Sequence, residues 1–281
     1  MKMNDGDAPG HISFNLPDRD YRSDPAVSKS GLDLINEHPA RYRWVMLEKH
    51  PIEQTAAMRI GSAFDSALLT PTLFTQDYII APEGARRGSK AWEEFEQSAI
   101  GKTILKTDEY DTVQRMREAT LTHPVARLIL KDGDPQVSLF WSDAITKQRC
   151  KARVDYLRRD RILVDVKSTA EGGAAPDTFQ RTAFAMRYHV QAAFYSDGLS
   201  LLEEADAEAF MFIVVERTPP FAVAVYTLDR DFMRLGREAY RKDLERYAAC
   251  VAANDWPAYP LEIQQLSAPA WAITRSKGES L

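Results

Sequence analysis

The segment Lys151-Ala-Arg-Val-Asp155-Tyr-Leu-Arg-Arg-Asp-Arg-Ile-Leu-Val-Asp165-Val-Lys167-Ser-Thr169 constrains the fold more than any other. Two runs of alternating apolar and polar residues, rich in β-branched and aromatic side chains, flank a charged turn, and that pattern specifies an antiparallel hairpin. With residues 137–141 ahead of it, the pattern predicts a three-strand meander. Helical periodicity surrounds it. Residues 28–38, 41–48 and 53–69 read as helices, the last with Ala56, Ala57, Ile60, Phe64, Ala67 and Leu68 on one side. After a loop marked by Pro71, Pro82 and Gly84–Gly88, residues 91–98, 108–122 and 124–130 read as helices too. Beyond the hairpin, 179–202 reads as one helix. Residues 209–215 and 222–228 read as buried strands around Arg217-Thr-Pro-Pro220, and 229–253 as a closing helix. The expectation is an α/β layer fold with a helical N-terminal portion. Residues 1–25 are expected to be a flexible polar arm, 26–255 a single domain, and 256–281 an irregular tail with Pro257, Pro260 and Pro269.

Several classes are excluded by composition. The chain has 281 residues, 36 Lys and Arg against 41 Asp and Glu, and a formal net charge of −5, the balance of a globular protein. Cys150 and Cys250 lie far apart without a Cys-x-x-Cys or His-rich companion, so neither a disulfide framework nor a zinc site is indicated. The first 25 residues carry five aspartates and no apolar run, and no stretch of about 18 apolar residues occurs anywhere, so a cytoplasmic protein without membrane partners is expected. Nucleic acid remains open as a partner, because phosphate binding follows local clusters such as Arg149, Lys151, Arg153, Arg158, Arg159 and Arg161.

The hairpin also carries the chemistry. A turn centred near Asp160 gives antiparallel partners whose numbers sum to 320, so Leu157 faces Leu163 and Asp155 faces Asp165. Their Cβ atoms would stand roughly 5 Å apart, where two carboxylates repel unless a cation or proton lies between them. The period of the strand returns Lys167 to the face of Asp165, while Val164 and Val166 turn into the core. An acidic pair with a lysine beside it suits metal-assisted phosphodiester hydrolysis. Asp155 and Asp165 would offer hard oxygens to Mg²⁺ or Mn²⁺, with the Val166 carbonyl as a third. Lys167, its pKa lowered near a cation, would orient or deprotonate the attacking water. A surface hairpin with a cross-strand ion-pair cluster is the alternative that geometry leaves open.

Asp155 followed by Val164-Asp165-Val166-Lys167 resembles the D…(D/E)-x-K signature of the PD-(D/E)XK nuclease superfamily. Its company is more specific. Ser28-Lys-Ser-Gly-Leu-Asp-Leu-Ile35, Gly61-Ser-Ala-Phe-Asp-Ser-Ala-Leu68, Val137-Ser-Leu-Phe-Trp141, Cys150-Lys-Ala-Arg-Val-Asp155 and Tyr188-His-Val-Gln-Ala-Ala-Phe-Tyr195 resemble, in order, the blocks of the exonuclease VIII (RecE-type) domain of phages and prophages. The resemblance runs from about residue 20 to 250, without the long N-terminal extension of some relatives. It implies a central mixed sheet flanked by helices and a Mg²⁺-dependent exonuclease that degrades one strand of linear duplex DNA from its 5′ end. It further implies a homo-oligomeric ring on DNA and a single-strand annealing recombinase that takes the 3′ overhang.

The resemblance places Asp65 where relatives often have a metal-ligating histidine, and Gln136 where many carry glutamate. A carboxylate at 65 suits Mg²⁺, whereas Gln136 could offer only a neutral carbonyl. Gln191 and Tyr195 match the family's Gln-x-x-x-Tyr element and share a helix face that would reach the scissile region or the DNA backbone. Arg153, on the same strand face as Asp155, and Lys151 are candidate phosphate contacts, with simple surface charge as the alternative. Ser28, Ser30 and Arg43 could bind DNA ends, although helix capping alone explains the serines. His189 and Glu216 read as structural. A catalytically weakened DNA-end scaffold and a RecB-like nuclease of other polarity or substrate are the competing readings. No Gly-x-x-x-x-Gly-Lys-(Ser/Thr) loop occurs, so ATP independence is expected.

Overall fold

The computed structural model describes residues 10–269 except 51, 83, 85 and 86. In chain order the elements are β1 (His11–Ser13), α1 (Asp18–Ser23), α2 (Lys29–Glu37), α3 (Pro39–Tyr42), a π-helical turn (Arg43–Leu47), α4 (Ala56–Leu69), α5 (Pro71–Asp77), β2 (Tyr78–Ile80), α6 (Lys90–Ser98), β3 (Thr103–Leu105), α7 (Thr107–Thr122) and α8 (Pro124–Ile129). Then come β4 (Gly133–Ser142), β5 (Arg149–Arg158), β6 (Ile162–Thr169), α9 (Pro176–Ala185), α10 (Tyr188–Glu203), β7 (Ala209–Glu216), β8 (Val223–Thr227) and α11 (Arg230–Ala253).

Local chemistry sets the helix starts. Ser28, Thr55, Ser89 and Asp229 each accept the backbone N–H three residues on, satisfying one of the donors that a helix start leaves unpaired. The expected meander forms, and the sheet extends it to six strands in the order β1-β4-β5-β6-β7-β8. All neighbours are antiparallel except β6 and β7, which run parallel because α9 and α10 carry the chain back across the sheet. The sheet is therefore mixed. Its two faces bury different helices. Leu139, Trp141, Phe212 and Val214 pack with Leu32 and Ile35 of α2, Phe194 of α10 and Leu244 of α11. Val164, Val166, Ile213 and Val215 pack with Phe64 and Ala67 of α4, Met116 of α7 and Ile129 of α8. Burial on both faces explains why β6 and β7 read as nearly continuous apolar runs.

Four expectations change. The single helix 179–202 is two helices, broken where Arg187 takes a left-handed φ of 56° and gives its guanidinium to Asp33 (2.9 Å) and Asp243. The helix expected over 41–48 becomes α3 and a π-helical turn after Pro39. The arm expected to be flexible forms β1 and α1 from residue 11, with β1 pairing against β4 and His11 stacked 4.8 Å from Phe140. Residues 1–9 of that arm, 270–281 of the tail, and Glu83, Ala85 and Arg86 of the expected loop lie outside the described residues. The loop's start is instead α5 and β2, and β2 pairs in parallel with β3.

Candidate active site

Gln136 and Asp155 mark a fault line in the sheet. The β4–β5 register is constant, with Pro135 opposite Tyr156 and Val137 opposite Val154, but the intervening position, Gln136 against Asp155, is skipped. Gln136 has a left-handed φ of 53°. Side-chain alternation changes phase there: Val154 and Ala152 face the α10 layer, whereas Tyr156, another even-numbered residue, faces the α4 layer. The β5–β6 ladder stops at the same level. Leu157 does face Leu163, as the turn arithmetic predicts, but the ladder ends at Tyr156 opposite Val164. Asp155 and Asp165 are thus not a ladder pair. The strands part before reaching them, and the Asp155 side chain spans the gap by accepting the Val166 N–H at 2.9 Å.

Two further elements, α4 and α10, close on this opening. At Gly61 of α4 a Cβ would meet Ser168 Oγ at 3.0 Å, so the helix lies close against the end of β6. One turn later α4 delivers Asp65, whose Oδ2 accepts the Gln136 amide at 2.8 Å. Asp65 Oδ1 is buried without a donor. From α10, Gln191 donates through Nε2 to Asp165 Oδ1 and accepts Lys167 Nζ at 3.3 Å. Lys167 Nζ stands 2.5 Å from Asp165 Oδ2 and 4.6 Å from the ring centre of Tyr188. Asp165 itself is 2% exposed.

Electrostatics follow from packing three carboxylates into a low-dielectric opening. Burial and the Asp165 charge push Asp65 up to about 7, against the pull of Lys167 and Gln136. Burial, Asp165 and Asp65 raise Asp155 well above the carboxylate range. For Lys167 burial favours the neutral amine, but Asp165 and Asp155 outweigh it and hold its pKa above the ordinary lysine value. The lowering expected for Lys167 belongs to a site that holds a cation, whereas two anions face the ammonium here.

The structure thus brings Asp65, Asp155, Asp165, Lys167 and Gln191 together, with Val166 between them. Backbone N–H and C=O of one strand residue project to the same edge, so the Val166 carbonyl faces the Asp155 side. These donors are the hard oxygens that Mg²⁺ and Mn²⁺ prefer, and the bare Asp65 Oδ1 fits such an ion. Among the described residues, however, no three His, Cys, Asp or Glu side chains form a ready cage. Gln191 donates to one oxygen of Asp165 and the Lys167 ammonium faces the other as an ion pair, although that second oxygen, like Asp65 Oδ1, is buried without a hydrogen bond.

Tyr195 lies a turn beyond Gln191; burial, with Tyr21, Asp165 and Asp155, raises its phenol, which accepts the backbone N–H of Arg153. Arg153 and Lys151 are not directed at the carboxylates. Lys151 is 3% exposed and donates to the carbonyls of Tyr21 and Asp24, both at 2.7 Å. Arg153 donates to Ser138 Oγ, the Leu16 carbonyl and Asp18. The shared face of Arg153 and Asp155 assumed unbroken alternation, which the phase change interrupts. Ser28 caps α2 and bonds Ser30, Arg43 pairs with Glu48, Glu216 accepts the Ala174 N–H, and His189 stacks on Phe184. Tyr188 went unrecognised in the sequence, although its spacing from Gln191 and Tyr195 places all three on one helix face.

The PDDEXK-like domain of unknown function DUF3799 matches residues 28–268. The chain belongs to that family. The PDDEXK-like fold is matched by the crystal structure of a candidate exonuclease from Eubacterium rectale, with a TM-score of 0.65 and 13% identity over 95% of this chain and 100% of that one. At that identity the likeness concerns the fold. SSO0001 aligns at 13% identity over 76% of this chain and 83% of that chain, with a TM-score of 0.27. No curated protein matches the chain. Among the described residues no helix is long and apolar enough to cross a membrane.

Proposed function

We propose that this PDDEXK-like chain is a Mg²⁺-dependent, ATP-independent exodeoxyribonuclease. It degrades linear duplex DNA from 5′ ends and leaves 3′ overhangs for a single-strand annealing recombinase, acting as a RecE-type homo-oligomer in the cytoplasm of a phage-bearing host. The observation that carries the reading is the convergence of Asp65, Asp155, Asp165 and Lys167 where β5 and β6 part. Asp155, Asp165, Asp65 and the Val166 carbonyl would hold Mg²⁺, with Mn²⁺ as a substitute. That ion, when bound, supplies an acidified water and polarises the phosphodiester. Asp155 is aimed by the Val166 N–H, and Gln191 fixes the Asp165 carboxylate and the Lys167 ammonium together. Lys167 sets its positive charge where negative charge grows on the phosphate, and orients the attacking water.

The test is nucleotide release from 5′-labelled linear duplex beside 3′-labelled duplex and a closed circle, with Mg²⁺ or EDTA, for the wild type and Lys167→Ala. Release from linear DNA only, lost with EDTA and with the substitution, supports the proposal. Cutting of circles would move the reading to a RecB-like endonuclease. One observation favours a second reading, a DNA-end-binding scaffold. The Gln136 amide and Lys167 already occupy oxygens of Asp65 and Asp165. End binding without release in Mg²⁺ or Mn²⁺ would establish it.

A further inference from the structure

The face of β5 beside the carboxylates is covered by the chain's own N-terminal segment. After β1 the backbone turns over the sheet, and α1 contributes no buried residue. What holds it there is polar. The Arg153 guanidinium donates to the Asp18 carboxylate at 3.2 Å, to the Leu16 carbonyl at 2.8 Å and, through Nε, to Ser138 Oγ at 3.1 Å. Its plane lies 4.3 Å from the ring centre of Tyr21, and Lys151 Nζ stands 4.7 Å from the same ring. Asp18 is shared with Arg22 at 2.5 Å and remains 60% exposed.

Two features tie this segment to the candidate active site. Arg153 is two residues from Asp155, and its backbone N–H holds the Tyr195 phenol, which feels Tyr21 on one side and Asp155 and Asp165 on the other. The Tyr78 phenol likewise feels both Asp65 and Asp18. A carboxylate and a carbonyl oxygen on one guanidinium present the acceptor geometry that arginine offers to phosphate oxygens. An arginine two residues from a phosphodiester-cleaving carboxylate would otherwise be open to the backbone of a bound duplex.

We propose that residues 14–24 form an acidic strap over β5, in which Asp18 and the Leu16 carbonyl occupy on Arg153 the place of a DNA phosphate. Substrate binding displaces the strap, and Arg153 with Ser138 then takes a phosphodiester of the duplex. The inference rests on the nuclease reading. The strap lowers affinity for all DNA by the same factor, set by the free energy of displacing it.

The test uses the full chain and a fluorescein-labelled blunt duplex, with Ca²⁺ in place of Mg²⁺ so that binding is read without cleavage. Asp18→Asn is expected to bind about threefold tighter, the scale of a partly exposed ion pair. With Arg153→Ala that gain disappears, so the double variant binds like Arg153→Ala alone. In the wild type, amides of 14–24 exchange faster with duplex bound than free. Unchanged or weaker binding by Asp18→Asn, or strap amides equally or better protected on DNA, overturns the proposal. If the wild type binds and degrades DNA while Asp18→Asn behaves identically, the strap alone is refuted. If no variant binds or degrades DNA, the nuclease reading fails and takes the strap with it.

Discussion

The three buried carboxylates couple the candidate site to folding, and Asp65→Asn measures the coupling. Asp65 is pushed up to about 7 by burial and by Asp165, against about 3.9 in an unfolded chain. Between those values the folded protein keeps a proton that the unfolded chain has released. Stability conferred by this group is therefore full below about pH 4 and is lost as pH rises through about 7. Roughly three pH units at about 1.4 kcal/mol each make a cost of about 4 kcal/mol at pH 8, shared with Asp155 because the groups titrate together. Asparagine keeps an oxygen that can accept the Gln136 amide but cannot ionise. Relieving half to all of that cost should raise the melting temperature at pH 8 by roughly 4–8 °C, taking about 2 °C per kcal/mol for a chain of this size. At pH 4 the two proteins should melt together. Mg²⁺ at about a hundred times its Kd should give the wild type roughly 2.7 kcal/mol at pH 8 and the variant much less. Calorimetry from pH 4 to 8, with and without Mg²⁺, reads all of this. A variant no more stable than the wild type at pH 8, or equally stabilised by Mg²⁺, would refute the reasoning.

Other perturbations test other parts of the structure. Gln191→Ala leaves a buried Asp165 oxygen without its donor and should cost about 1–3 kcal/mol in urea unfolding, together with most of the nuclease activity. Gly236→Ala should destabilise by about 1–3 kcal/mol despite its better helix propensity, because a Cβ there would lie 2.2 Å from the His189 carbonyl where α10 crosses α11. Arg187→Met strands the buried Asp243 and should cost about 3–5 kcal/mol, with partial recovery when Asp243→Asn is added. Burial alone would raise Glu109, yet Arg59, the Lys106 N–H and Arg87 hold it below its ordinary value. Its stabilisation is present above about pH 4.3 and lost as pH falls. Glu109→Gln should thus lower the melting temperature at pH 7 and matter little at pH 3.

The central meander and its turn were legible because strand period and turn charge act locally. Leu157 and Leu163 pair as the arithmetic requires, and Val164 and Val166 enter the core. Asp165, Lys167 and Gln191 meet because each is fixed by simple periodicity within one element. The parting of β5 from β6 was not legible. It depends on Gln136 in a left-handed conformation on a third strand, and glutamine gives no local sign of it. The same blind spot misplaced Arg153, since alternation counted along β5 cannot register a phase change imposed from β4. β1 and α1 were missed for a related reason. Three residues and one helical turn have little preference of their own, and they form because β4 offers an unpaired edge and Arg153 an unpaired cation.

β6 is an interior strand of the sheet, hydrogen-bonded to β7 along its length and to β5 only as far as Val164. Interior strands are the last to exchange their amides, opening only when the whole domain does. Asp165 and Lys167, however, lie past the point where β5 leaves, so that β7 alone holds their backbone, while Asp65 sits on α4 among the buried Ala63, Phe64 and Ala67. The amides from Asp165 to Thr169 should then exchange ahead of those of Leu163 and Val164, and thermal inactivation should begin before the domain melts as a whole. Substitution on α4 and substitution on β6 therefore carry the same risk to the scaffold, because each sets its carboxylate between residues of the core.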